Sequence, residues 1–340
     1  MSEVRPGPGN ALTDVAGLTV GNAHDVTCQT GTTVILCGEN RAVAAVDVRG
    51  GGPGTRETDA LAPGRLVQSV DAVVLSGGSA FGLDAAGSVQ LWLAAHGLGY
   101  KTGGPLVPIV PAAILFDLVN GGDKDWGMDA PYRALGLQAI EAAGVEFAQG
   151  KAGAGYGARA GGLEGGLGSA SAVDPVTGAT VGALVAVNCF GDVCGDDGRF
   201  YAAPFELGEE FGGCGPSQKV PSGPVFPKLG ADAKPYARSN TTIAVVATDA
   251  ALSHEDTQRF VTMAQAGLAR AVRPVYTPFD GDTVFALATA QGPSVDAIGL
   301  ARLGAIGADV LARAIARGVY EARSLGNSWP AWRDKFNKGL

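Results

Sequence analysis

A threonine that opens a buried strand can act as a nucleophile with no partner except its own backbone. The chain offers one in Arg238-Ser239-Asn240-Thr241-Thr242, a polar stretch that runs directly into Ile243-Ala244-Val245-Val246-Ala247-Thr248. The β-branched run reads as a strand, so Thr241 stands at its mouth. If the peptide bond before Thr241 is cut, the residue's own α-amine serves as base. That amine titrates at roughly 7.7–8.0, whereas a lysine sits near 10.4. Few other groups could activate a hydroxyl here, because His24, His96 and His254 are the only histidines and none lies in a nucleophile motif. A plainer reading, a turn entering a buried strand, stands beside this one, and local sequence alone favours it.

Two further positions could complete such a site. In Asp280-Gly281-Asp282-Thr283 a glycine separates two carboxylates just ahead of a strand, so one turn can aim both at one point. Beside Thr241 the pair could hold the α-amine, tune its proton and orient the hydroxyl. A calcium loop would need more oxygen ligands and a later Glu. In isolation the motif reads as a solvated turn. Asn188 closes an apolar strand and is either an amide donor to an oxyanion or the start of a turn. The glycine motifs are weaker. Gly77-Gly78-Ser79-Ala80-Phe81-Gly82 has the placement of an anion-binding turn but lacks the Lys-Ser/Thr of a phosphate loop, so close helix–sheet packing explains it better. Gly153-Ala154-Gly155-Tyr156-Gly157 has no clear strand feeding it. Gly50-Gly51-Gly52-Pro53-Gly54-Thr55-Arg56-Glu57 could line a site or simply turn. Cys28, Cys37, Cys189, Cys194 and Cys214 show no paired zinc spacing, so neither metal nor cofactor is expected.

These residues need a scaffold, and composition bounds it. The chain has 340 residues, 46% hydrophobic and 17% charged, enough for a large core. Its formal charge of −8 argues against a nucleic-acid surface. No apolar run reaches the ~20 residues of a membrane helix. The polar opening Met1-Ser2-Glu3-Val4-Arg5-Pro6 and the odd cysteine set suit a cytoplasmic protein with reduced thiols. Strands and helices alternate in an α/β manner. Thr32–Cys37 and Ala42–Val48 read as paired strands joined by a polar turn. Asp71–Leu75 is a buried strand leading through the glycine turn to a helix ending near Leu98. Further helices are predicted from Ala130 to Ala143, from Ser253 with a capping box to Asp256, and from Ser294 to Arg323. Val181–Asn188 and Thr283–Thr289 are strands. Gly191 to Arg238 shows little periodicity and is the best candidate for an exposed, cleavable connection. The last residues, with Trp329 and Trp332, should dock as a tail on this chain or a neighbour.

Taken as an ordered set, Gly165-Gly166-Leu167-Gly168-Ser169-Ala170-Ser171, Val181-Gly182-Ala183-Leu184-Val185-Ala186-Val187-Asn188, Asn240-Thr241-Thr242-Ile243 and Asp280-Gly281-Asp282-Thr283 resemble the DmpA/β-peptidyl aminopeptidase family, which includes the nylon-oligomer hydrolases. Val48-Arg49-Gly50-Gly51 and Leu75-Ser76-Gly77-Gly78 fit as well, so the likeness spans nearly the whole chain. It implies a single four-layer αββα sandwich over 1–340, made as a precursor and cut into a large chain 1–240 and a small chain 241–340. The pieces stay together and assemble further, often as tetramers of heterodimers. By the resemblance Thr241 is the nucleophile, Asn240–Thr241 the processed bond, Asn188 the oxyanion-side asparagine and Asp280 with Asp282 the acidic pair of the nylon-oligomer branch. The chain departs from the pattern where relatives place a lysine before the glycine pair, since Glu164 stands there; Arg159 or Lys151 are the nearby cations. Phe116, at a position where some relatives have tyrosine, and Arg159 are the substrate-binding residues the resemblance suggests.

The implied activity is amide hydrolysis through an N-terminal threonine, by an aminopeptidase or amidase acting on small peptides or amides. An endo-acting hydrolase of 6-aminohexanoate oligomers is the first alternative. Acyl transfer, as in ornithine acetyltransferases of the same fold, and a non-catalytic relative are the others.

Overall fold

The structure is a computed structural model that describes residues 3–217, 240–326 and 329–336. In chain order its strands are β1 (Thr19–Asp25), β2 (Thr30–Leu36), β3 (Ala42–Val48), β4 (Thr55–Arg56), β5 (Ser69–Val70), β6 (Ala72–Ser76), β7 (Ala112–Ile114), β8 (Arg159–Ala160), β9 (Leu163–Glu164), β10 (Leu167–Val173), β11 (Thr180–Asn188), β12 (Thr241–Thr248) and β13 (Thr283–Ala288). The helices are α1 (Ala85–Ala95), α2 (Tyr132–Glu141), α3 (His254–Ala264), α4 (Ala266–Ala271), α5 (Ala297–Tyr320) and α6 (Trp332–Phe336). One sheet runs β1-β2-β6-β7-β4; a second runs β10-β11-β12-β13-β3-β5; β8 and β9 form a small hairpin.

Period-two alternation explains how the layers stack. Along β12, Ile243, Val245 and Ala247 enter the core between the two sheets, where they meet Ile35, Val73 and Leu75 of the first sheet. Ala244 and Val246 face the other way, onto Phe260 of α3 and Leu311 and Ile315 of α5. On the far side, Val34 and Val74 pack against Val89 of α1 and Leu135 of α2. The result is an αββα sandwich with three apolar seams. Because β12 is covered on both faces, all eight of its residues are buried.

Most expected elements are present. The Ser253 hydroxyl accepts from the Asp256 N–H at 3.1 Å and starts α3, and Asp296 caps α5 by accepting from the Gly299 N–H at 2.8 Å. The C-terminal segment docks on this chain: Trp332 is buried against Phe200 and Tyr320, and its indole N–H donates to the Gly198 carbonyl at 2.8 Å. One pairing is corrected. β2 and β3, adjacent in sequence, do not pair; β2 lies between β1 and β6, and β3 lies between β13 and β5 in the other sheet. The polar turn between them carries the chain across the sandwich, so each strand offers one face to the same inter-sheet core. Residues 191–217 form turns around a short 3-10 helix at Ala203–Phe205. The remainder of the expected connection, 218–239 with Arg238 and Ser239, lies outside the described residues.

Candidate active site

Thr241 is the first residue of β12 and 3% exposed. Its register partner on antiparallel β11 is Asn188, the last residue of that strand. On its other side, β12 runs parallel to β13, so the turn that feeds β13 must lie beside the start of β12. That turn is Asp280-Gly281-Asp282. Asn240 forms a parallel bridge with Asp280: its N–H donates to the Phe279 carbonyl at 3.2 Å, and its carbonyl accepts from the Gly281 N–H at 3.1 Å. The Thr241 hydroxyl also donates to that Asn240 carbonyl. The carbonyl preceding Thr241 thus receives one N–H and one O–H. Gly281 has to be glycine, because a Cβ there would sit 2.8 Å from Thr241 Oγ1 and 2.8 Å from the Gly52 carbonyl oxygen.

The two carboxyls beside this junction are buried, 1% exposed for Asp280 and 2% for Asp282. Asp280 accepts from the Phe190 N–H at 3.1 Å and from the Thr277 N–H and hydroxyl at 2.9 and 2.6 Å. Asp282 accepts from the Thr242 N–H at 2.8 Å and the Tyr276 N–H at 3.2 Å. In the uncut chain, therefore, Asp282 braces the backbone just after Thr241 while Asp280 ties Phe190 to its own turn, and among the described residues neither carboxyl bonds to Thr241 itself. Burial and the neighbouring charge of Asp280 push the Asp282 carboxyl up to about 7, against the pull of its two N–H donors. The loop after β3 wraps this turn. Arg49 and Gly50 N–H groups donate to the Asp282 carbonyl, and the Gly52 N–H to the Asp280 carbonyl at 2.8 Å. A Cβ on Gly50 would lie 2.2 Å from the Asp282 nitrogen, so the glycine run is the condition for this approach.

Asn188 is 3% exposed and ties three segments together. Its Oδ1 accepts from the Arg159 N–H at 2.9 Å, and its Nδ2 donates to the Phe116 carbonyl at 3.1 Å. A primary amide has two hydrogens on nitrogen, so a second remains available for an oxyanion. Phe116, just beyond β7 and half-buried, meets Asn188 through its main chain. Arg159 opens β8, with its guanidinium 5.1 Å from the centroid of the Trp329 ring. The other expected cation is elsewhere engaged. Lys151 donates to Glu164 at 2.5 Å and to the Ala158 carbonyl at 2.9 Å, with the two ion-pair side chains 7% and 1% exposed. Glu164 thus holds a lysine from earlier in the chain and locks the β8–β9 hairpin.

The structure brings Thr241, Asn240, Asn188, Asp280 and Asp282 into one cluster, with Phe116 and Arg159 joined to it through Asn188. Sequence reasoning missed the Gly281 N–H on the Asn240 carbonyl, and left open whether the Gly50–Glu57 loop lines a site; its first residues enclose the acidic turn. Its reading of the Gly77–Gly78 turn as close packing holds for Gly78 against Tyr132, but the turn also holds an acid it had set aside. Gly78 has φ +85° and donates its N–H to Asp117 Oδ1 at 2.7 Å, while a Cβ would fall 2.0 Å from the Tyr132 ring. The acid at that turn is the protein's own Asp117.

A profile of peptidase family S58 matches residues 10–328. The chain belongs to peptidase family S58. An aminopeptidase of Mycobacterium bovis, itself named as uncharacterized, is 41% identical over 96% of this chain and 98% of the relative. A 6-aminohexanoate-oligomer endohydrolase of Kocuria is 30% identical over 83% of this chain and 80% of the relative. Among solved structures, a Burkholderia β-aminopeptidase superposes with a TM-score of 0.70 at 21% identity, covering 99% of this chain and 94% of that one. The L-aminopeptidase D-Ala-esterase/amidase of Ochrobactrum anthropi, described as a variant of the Ntn hydrolase fold, gives 0.69 at 22% identity over 95% and 89%. This S58 member is an amide-bond hydrolase built on that fold. Among the described residues, no helix is long and apolar enough to cross a membrane.

Proposed function

We propose that the protein is a self-processing aminopeptidase or amidase that acts on small peptides or amides through Thr241. The observation that carries this reading is the junction itself: a buried threonine hydroxyl bonded to the carbonyl of the residue before it, where the Gly281 N–H also donates. In the precursor the hydroxyl attacks the Asn240 carbonyl carbon. Negative charge gathers on an oxygen that the Gly281 N–H already holds, the hydroxyl proton passes to the departing Thr241 nitrogen, and an ester results. Water cleaves the ester and leaves Thr241 with a free α-amine. In the mature enzyme that amine takes the hydroxyl proton while the hydroxyl attacks a substrate amide. The available hydrogen on Asn188 Nδ2 stabilises the oxyanion, a role worth about 2.7–4 kcal/mol for one donor in a measured case. The amine leaves protonated and water releases the acyl group. Asp282, bonded to the Thr242 N–H and raised in pKa, stands close enough to tune the new amine.

The likeness to the Kocuria endohydrolase and the Asp280-Gly281-Asp282 turn favour oligoamide hydrolysis as the second reading. Aminoacyl p-nitroanilides of L, D and β configuration, run against 6-aminohexanoate oligomers, separate the two. The test of the nucleophile is intact mass under denaturing conditions. Wild type should give two species, meeting at Asn240 and Thr241. Thr241→Ala should give one uncut, inactive chain, and a cut or active variant would remove Thr241 from its role.

A further inference from the structure

The buried or half-buried arginines of this protein are matched almost without exception. Arg313 pairs with Glu210, Arg302 with Asp174 and Arg41 with Asp71, while Arg317 reaches the carbonyls of Asn10 and Ser169. Arg159 differs. Among the described residues its guanidinium makes neither a hydrogen bond nor an ion pair, whereas Arg41, Arg317 and Arg333, whose Nε atoms are likewise buried and unbonded, are held through their other nitrogens or an ion pair. The two acids that could neutralise it are committed. Glu164, its register partner across the hairpin, is bonded to Lys151. Asp117 is buried, with one oxygen on the Thr30 hydroxyl at 2.7 Å and the other on the Gly78 N–H. Lys124 adds a further positive charge nearby, and burial disfavours the charged form of Arg159. The planar cation is nevertheless kept in place, over the Trp329 ring and with its backbone N–H on Asn188. Asn188 is the register partner of Thr241. A half-buried guanidinium without an acceptor among the described residues, on a residue whose backbone N–H is bonded to the register partner of Thr241, in a chain of net charge −8, is a site for an anion that arrives with the substrate.

We infer that Arg159, seated on Trp329, binds a carboxylate of the substrate, so that the preferred substrates are amides carrying an acid group close to the scissile bond. The inference rests on the Thr241 reading and adds the substrate class to it. The carboxylate can belong to the acyl half, as an acidic side chain, or to the leaving half, as a free C-terminus, and matched pairs distinguish these. Aspartyl against asparaginyl p-nitroanilide tests the acyl half; a dipeptide against its C-terminal amide tests the leaving half. Wild type should favour the acid of at least one pair by about tenfold or more in kcat/KM, the size of one charge-assisted hydrogen bond. Most of that preference should lie in KM. In Arg159→Gln the acid-to-neutral ratio should collapse toward one, and Arg159→Lys should recover part of it. Should both variants fail to fold, wild type still decides. Hexanoate should inhibit turnover of a neutral p-nitroanilide competitively, and hexanamide should do so at least about tenfold more weakly.

Equal kcat/KM within both pairs, or equal inhibition by hexanoate and hexanamide, would overturn the inference. So would a ratio unchanged in Arg159→Gln. A cut enzyme that hydrolyses neutral amides with no acid preference would defeat this inference alone, whereas an uncut chain by intact mass would defeat the Thr241 reading beneath it.

Discussion

At the scale of single residues the site is organised around one carboxyl that favours its proton. Asp282 is raised to about 7 in the folded chain, against roughly 3.9 for a free aspartate. Between those values the folded state holds a proton that the unfolded state has released. Stability therefore falls as pH rises from about 4 through about 7, and the favourable side is the acidic one. The uncut Thr241→Ala chain is the clean sample for this. Its melting temperature should drop across that window, and the drop should flatten when Asp282→Asn is added. A slope unchanged by the second substitution would place the titrating group elsewhere. Asn188→Ala makes a separate prediction. It strips the acceptor from the Arg159 N–H and the donor from the Phe116 carbonyl, so stability should fall by about 1–3 kcal/mol in denaturant unfolding, with turnover reduced as well. Asn188, Thr241 and the acidic pair were legible in the sequence because each sits at a strand end, where hydrophobic patterning marks the boundary. Arg159 and Lys151 were legible only as nearby cations, and the Lys151–Glu164 pair was not legible at all, since which side chains meet across a hairpin depends on its register.

At the scale of elements, the important fact is that two strand mouths and one loop converge. β12 and β13 are parallel, so the approach to one lies beside the approach to the other, and the Gly50–Gly52 loop closes over both. Gly50→Ala should cost about 1–3 kcal/mol and slow the appearance of the two pieces on denaturing gels, because the added methyl meets the Asp282 backbone. Wild-type processing and stability in that variant would show that the loop can retreat freely. The β8–β9 hairpin gives a second test. Breaking its buried ion pair with Lys151→Met alone should cost about 3–5 kcal/mol, and adding Glu164→Leu should restore most of it, as chemical denaturation can measure. Strand order was only partly legible. β1 was missed and β10 was noticed only as a motif, because the stretch between Leu167 and Val173 is all glycine, serine and alanine, with no β-branched residue to mark a strand. β2 and β3 were paired wrongly because their alternation is equally good for neighbours in one sheet and for strands facing each other across two.

At the scale of the whole molecule, the cut after Asn240 would separate the pieces in covalent terms while leaving them interleaved. β12 and β13, from the small piece, lie between β11 and β3 of the large one. Arg313 of α5 reaches across to Glu210, Asn10 and the Ser171 carbonyl. Native mass spectrometry of cut protein should therefore show both pieces in every species, and only denaturant should part them. Free small chain in native buffer would contradict this packing. The burial of Thr241 has one more consequence, for timing. Its attacking oxygen and the carbonyl it would attack belong to adjoining residues, at a buried junction set by the pairing of β12 with β11 and with the turn that feeds β13. Under the proposed mechanism, maturation is a first-order event whose half-time ignores dilution. Under that mechanism each molecule arms itself only once it has folded, and an unfolded copy stays uncut.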